Sequence, residues 1–208
     1  MKTALAHPSA IGIDTAMPIT EAVCDYLHGH KPYTDFIVRY LTGRYAIKRP
    51  ELDLILQEGF ALMLVTGSRK PGWMPEKLLG DVDGRHAIEV LEELEIPRGA
   101  TVWLDLESSG GNAADTIAWT NAWANIVRAG GYEAGLYVGA VSKLDAAQLY
   151  GLRVTRYWRS CSRVPEPAVR GFCMMQLRPP NANHGPLIVD FNVIEPDFKG
   201  GLPTWVVA

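Results

Sequence analysis

The feature that most restricts what this chain can fold into is an alternation of short apolar runs with helical patterns, repeated five times and then abandoned. The runs Ala10–Asp14, Phe36–Leu41, Ala61–Thr66, Thr101–Glu107 and Ala134–Val138 read as strands. Ile19–Leu27, Pro50–Glu58, Asp83–Leu94, Ala113–Ala129 and Leu144–Leu149 read as helices. The fourth helix is the plainest. Asn112 stands at its cap, Asp115 at its third position, and Gly130 and Gly131 stop it. Trp119, Trp123, Ile126 and Val127 form a stripe at helical spacing, which predicts packing on a sheet rather than a ligand site. Regular strand–helix alternation predicts parallel strands with crossover helices.

After residue 150 the rhythm changes. Thr155–Ser160, Phe172–Leu177 and Leu187–Val193 read as strands, but the Pro-rich segments RVPEPAVR and PPNANHGP between them are short. A parallel connection takes a dozen or more residues, so at least one of these strands is predicted to be antiparallel, with no long helix in either connector. The expected fold is α/β: a modified (β/α) TIM-like barrel of eight strands, with helices missing around the last three. A chain of 208 residues suits one such barrel, and no linker or repeat divides it, so a single domain over residues 1–208 is expected.

Composition narrows the function. The net charge of −3, with no concentration of Lys or Arg, makes no case for nucleic acid or for an acidic lipid surface. The longest apolar runs, such as Phe60–Val65, are too short to span a bilayer, so no membrane insertion is expected. Three cysteines do not make a disulfide framework, and Cys161 and Cys173, in apolar strand-like contexts, are expected to be buried thiols.

Barrels carry their chemistry where loops converge at the carboxyl ends of the strands. Those ends hold Asp14 in IGID, Arg39 and Tyr40 in IVRY, Asp105 and Glu107 in VWLDLES, Tyr137 in GLYVG, Trp158 in RYWRS, Gln176 in MMQL and Asp190 in IVDFN. Asp105 and Glu107 lie two apart and so face the same side of a strand, leaving Leu104 and Leu106 for the helix layer. A lone acid at a strand end can simply cap the next helix. Four acids converging on one place are costly unless paired, solvated or used.

Other chemistries are less well supplied. Cys24, His28 and His30 have the side chains for zinc, but no second cluster completes a tetrahedral site. The four carboxylates could in principle hold a divalent cation, which a chelator would reveal, but the reading adopted needs no metal and no other cofactor. Cys161 and His184 share no nucleophile motif, and ESSGGN lacks the Lys-Ser/Thr of a phosphate loop and reads as a helix lead-in.

GIDTAMPIT, FIVRYL, VWLDLES, AGLYVG, RYWRS and IVDFN, in that order over nearly the whole chain, resemble the glycoside-hydrolase-like domains related to family 25 lysozymes. The resemblance implies a barrel whose last strands lack regular helices, and an N-acetylmuramidase that cleaves the β-1,4 bond of peptidoglycan. It implies Glu107 as general acid/base, Asp105 orienting the substrate N-acetyl group or stabilising charge, and Asp14 and Asp190 as supporting acids. Tyr137 and Trp158 look like sugar-contacting aromatics, with Tyr40 and Gln176 beside them and Arg39 available for a substrate carboxylate. The segment SRKPGWMPEKLLGD, with an exposed-looking Trp73, departs from the lysozymes, and IVRY is closer to the lysozyme-like domains. A barrel that binds cell-wall glycan or a protein without catalysis is the alternative of a different class.

The expected partner is the peptidoglycan glycan strand, met by a monomer. The amino terminus MKTALAHPSAIGID has His7 and Pro8 where a signal peptide would need an apolar run. Synthesis in the cytoplasm is therefore expected, with delivery to the cell wall or periplasm through a holin, as for an endolysin, or through a secretion machine, as for an antibacterial effector.

Overall fold

The computed structural model describes residues 1–208. Its elements in chain order are β1 (Lys2–Leu5), β2 (Ile11–Asp14), α1 (Glu21–Gly29), β3 (Phe36–Tyr40), α2 (Arg49–Gln57), β4 (Ala61–Val65), α3 (Lys77–Glu93), β5 (Thr101–Leu106), α4 (Ala113–Ala129), β6 (Glu133–Val138), α5 (Ala146–Tyr150), β7 (Arg156–Arg159), β8 (Met174–Gln176), β9 (Ala182–His184), β10 (Leu187–Ile194) and β11 (Thr204–Val207). Strands β2 to β8 run parallel in sequence order, and β10 closes the ring by pairing antiparallel with both β8 and β2. The result is a closed eight-stranded barrel with helices along only part of its circumference, in agreement with the expected fold.

Among the eight barrel strands the antiparallel one is β10 alone. The connector from β7 to β8, residues 160–173, contains no helix, yet it is long enough to bring the chain back parallel. The second connector folds into a hairpin, β9 against β10, turning at Gly185 with φ 58°. Neither connector carries a helix, as their lengths required.

Period-two alternation divides each strand between two cores. Ile13, Ile37, Leu62, Leu64, Val102, Leu104 and Leu136 face outward and pack under the helices with Trp123 and Val127 of α4. Phe36, Val38, Met63, Trp103, Trp158 and Met174 face inward and fill the barrel. The lower end is plugged by two strands that the sequence reading did not identify. β1 pairs with β11, β11 pairs with β4 at Val206↔Leu62, and Trp205 packs beside Phe36. α3 also begins earlier than expected, because Gly80 and Gly84 do not break it. A Cβ at Gly80 would lie 2.3 Å from the Trp119 carbonyl oxygen, so these glycines let α3 and α4 approach closely.

The caps are local and legible. Thr20 accepts from Val23 N, Asn112 from Asp115 N, and Asp145 and Gln148 form a reciprocal box at α5. Cys24 and Cys173 are buried, but Cys161 is half-exposed just past β7, contrary to expectation, with its thiol donating to the Leu177 carbonyl at 3.1 Å.

The barrel interior is filled by pairing large side chains with glycines. A Cβ at Gly12 would lie 2.5 Å from both the ring and the carbonyl oxygen of Phe36, and one at Gly135 would lie 2.5 Å from the Trp103 ring. Gly12→Ala should therefore destabilise by about 1–3 kcal/mol through overpacking. Gly29→Ala, with nothing within 4 Å of the added carbon, should not. Denaturant midpoints check this, and equal midpoints for the two variants would contradict the packing account.

Candidate active site

Above the aromatic filling the strand ends surround a pocket of about 150 Å³ lined by Asp14, Asp105, Glu107 and Asp190, with Thr15, Val38, Tyr40, Val65, Tyr137, Trp158 and Gln176. Every strand-end residue singled out in the sequence lines it except Arg39. Asp14 ends β2, and Asp105 and Glu107 project inward from β5 and its first loop residue. Asp190 arrives differently from the expectation. It lies on the antiparallel β10, directly opposite Asp14, so it is the early part of that strand that faces the mouth.

Burial dominates the electrostatics. Asp105 is 8% exposed, its backbone N–H donates to Thr66 Oγ1 at 3.0 Å, and its Oδ1 is buried without a hydrogen-bond partner. Loss of hydration, and then the nearby Glu107 and Asp14 carboxylates, push its pKa well above the usual range. Asp14 keeps a partly exposed edge, but burial still raises its pKa to about 7. Hydrogen bonds from Asn192 and Gln176 oppose that rise, while Asp190 and Glu107 reinforce it. Burial followed by the charge of Asp190 also raises Glu107. The phenols of Tyr40 and Tyr137 are pushed up too, first by burial and then by the surrounding acids, and stay protonated.

Gln176 braces the acids. Its Nε2 donates to Asp14 Oδ2 at 3.0 Å and to Asp190 Oδ2 at 3.2 Å, while its Oε1 accepts from Tyr137 OH and from Cys161 N, each at 3.1 Å. All four bonds are internal, and through them the side chain expected to contact sugar holds two carboxylates together. Trp158 is also mainly structural. It is 2% exposed, packs edge-on to Tyr137, and donates from Nε1 to Asn192 Oδ1 at 2.8 Å. It forms the pocket floor.

Arg39 is corrected outright. It points out of the barrel, is 2% exposed, and pairs with Glu51 of α2 at 2.7 Å while donating to the Thr15 carbonyl. The same Glu51 oxygen accepts from Ile19 N, so the pair ties the loop after β2 to α2 and is not placed to meet a substrate. Period two explains it: Val38 and Tyr40 face inward, and Arg39 between them cannot.

Three contributors were missed. Asn192, fully buried, donates to Asp14 Oδ2 at 2.7 Å, and the D-x-N spacing with Asp190 was its signal. The backbone N–H of Asn181 donates to Asp190 Oδ1. Trp73 is half-buried, packs edge-on to Trp119, and donates from Nε1 to the Glu107 carbonyl at 2.9 Å. Gly139 completes that support, since a Cβ there would lie 2.3 Å from the Glu107 Cβ.

The histidines weighed for other chemistries have carboxylate and aromatic partners. His28 pairs with Glu58 and stacks on Phe60, His30 stacks on Tyr26, and His184 packs between Tyr26 and Phe191. No group of three or more His, Cys, Asp or Glu side chains has the geometry to hold a metal ion.

Raised carboxyl pKa values make stability depend on pH. Between the unfolded and folded values the folded protein binds more protons, so stability is full below the unfolded value and falls as pH rises toward the folded one. Asp105→Asn removes that loss. It should stabilise the protein by about 1 kcal/mol or more near pH 8 and have little effect near pH 4. Chemical denaturation at both pH values checks this, and a difference independent of pH would contradict it.

Residues 26–161 match the family described as Rv2525c-like, glycoside hydrolase-like domain. No curated protein matches the sequence at a significant level. Among solved structures, the Mycobacterium tuberculosis Tat-secreted protein Rv2525c, in complex with L-tartrate, superposes with a TM-score of 0.66 at 12% identity over 93% of this chain and 98% of that one. The Clostridium perfringens spore cortex lytic enzyme SleM gives 0.65 at 15% identity over 89% and 67%. The modular autolysin LytC of Streptococcus pneumoniae, in complex with a synthetic peptidoglycan ligand, gives 0.58 at 10% over 89% and 46%. At these identities the likeness is one of fold. The family match covers well over half of the sequence, and the chain belongs to the Rv2525c-like, glycoside hydrolase-like domain family.

Proposed function

We propose that this protein is a peptidoglycan hydrolase of the lysozyme type, cleaving the β-1,4 bond on the reducing side of N-acetylmuramic acid. The observation that carries the reading is the convergence of four carboxylates and two phenols on one pocket with no cationic side chain in its lining. Glycoside cleavage needs a proton donor for the leaving oxygen and negative charge near an oxocarbenium-like carbon. Glu107 is the donor: it stands at the rim, half-buried, with its pKa raised by burial and by Asp190. Asp105, deeper and with its pKa also raised by burial, orients the N-acetyl group or stabilises the developing charge. Asp14 and Asp190, held by Gln176, are the supporting acids. SleM, a lytic enzyme, and LytC, bound to a peptidoglycan ligand, share this fold and support the substrate class.

Glu107→Gln preserves shape and removes the transferable proton, so release of reducing ends from purified peptidoglycan should fall by about a hundredfold or more in a folded protein. A folded Gln variant that retains activity would show that Glu107 is not the acid. A wild-type protein that binds the glycan without cleaving it would favour the non-catalytic barrel.

The pH profile tests the coupling. Activity should be bell-shaped, its alkaline limb marking loss of the Glu107 proton. Asp190→Asn removes the charge that raises Glu107, so the alkaline limb should move to lower pH even as the maximum rate falls. A limb that stays in place in a folded, active variant would contradict this assignment.

A further inference from the structure

The acid pocket opens on one side into a cleft of opposite charge. Gln176 and Asp190 on its wall also line a neighbouring hollow of about 320 Å³, which leads to Arg178 and to a cleft of about 450 Å³. That cleft is lined by Arg159, Arg163 and Arg178, with the hydroxyls of Ser160 and Ser162 between them, and no acid. All three arginines are exposed. The protein's ion pairs are made by other basic residues, among them Arg39, Arg49, Arg69, Arg156 and Arg170, leaving these three guanidiniums without a carboxylate partner. One is held in place, since Arg178 Nη2 donates to the Cys161 carbonyl at 2.9 Å.

Such an arrangement has a physical consequence. Whichever of the four carboxyl groups are ionised repel an anionic ligand, and an adjoining unpaired cationic surface offsets that repulsion and sets the ligand's direction. Guanidinium forks match carboxylate and phosphate oxygens, and an exposed, unpaired set has its donors free for them.

We propose that the Arg159–Arg163–Arg178 cleft is an anion-recognition subsite that takes a carboxylate or phosphate substituent carried by the saccharide in the acid pocket. The substrate is then an acidic glycan lying across the mouth, with its reacting sugar among the acids and its anionic group among the arginines. This fills the role that Arg39 was expected to play and is buried away from. The inference rests on the reading that the pocket binds a saccharide.

The test is calorimetric binding of three probes to Glu107→Gln protein, so that no probe is consumed. They are an N-acetylglucosamine–N-acetylmuramic acid tetrasaccharide with free lactyl carboxylates, the same compound with those carboxylates amidated, and a chitotetraose phosphorylated on one sugar. The protein should prefer the free acid or the phosphorylated sugar over the amide by about tenfold, in line with one or two charge-assisted hydrogen bonds. The stronger of the two identifies the natural anion. The preference should shrink with added salt, a readout that needs no further substitution. Combining Arg159→Gln, Arg163→Gln and Arg178→Gln should bring the ratio close to one. Binding of all three probes without preference, or a preference that survives the triple substitution, overturns the subsite while leaving the hydrolase reading intact. A preference in a protein whose wild type cleaves no glycan leaves the subsite and removes the hydrolase. Binding of none of the probes overturns both.

Discussion

The loss of hydration at Asp105 sets the terms for the rest of the site. A carboxyl group buried at the end of β5, with one oxygen lacking any partner, is several kcal/mol unfavourable if charged, so the surroundings must either neutralise it or hold it with a proton. No cationic side chain lines the pocket, and the pKa of Asp105 is pushed well above the usual carboxyl range. The backbone around it is braced accordingly, with Thr66 accepting from Asp105 N and Trp73 donating to the carbonyl of Glu107. Beneath it, Trp103 and Trp158 fill the barrel and Trp205 packs at its lower end. Asp14 and Glu107 feel the same environment, and burial raises both of their pKa values as well.

Much of this architecture was legible because it rests on period and length. Inward-facing residues two apart on short strands placed Asp105 with Glu107, and connector length foretold an antiparallel strand after residue 150. What escaped depended on partners distant in sequence. Whether Gly80 breaks or permits a helix depends on Trp119, almost forty residues away. β1 and β11, four residues each, are too short to announce themselves and gain their pairing only from each other and from β4. Arg39 shows the opposite error. Strand-end position suggested a pocket residue, but its parity within β3 sends it outward to Glu51, and the parity of its neighbours Val38 and Tyr40 already contained that information. Trp73 looked exposed because its loop matches no familiar pattern, and only the folded protein brings it to Glu107.

The division of charge at the mouth links structure to substrate. Acids and phenols occupy the barrel opening, unpaired arginines occupy the adjoining cleft, and Gln176, bonded to Asp14, Asp190, Tyr137 and Cys161, stands at the boundary. Burial, and then the charge of Asp190, raises the pKa of Glu107, the proposed donor, and in our proposal the nearby guanidiniums attract the anionic group of the glycan.

The most direct test of the account is digestion of purified peptidoglycan by the wild-type protein in heavy-oxygen water, with the fragments analysed by mass spectrometry. Cleavage of the glycosidic bond with proton donation from Glu107 predicts heavy oxygen at the anomeric carbon of newly formed N-acetylmuramic acid reducing ends, and nowhere else in the fragments. Heavy oxygen in new peptide carboxyl groups, or intact glycan after prolonged incubation with folded protein, would contradict it.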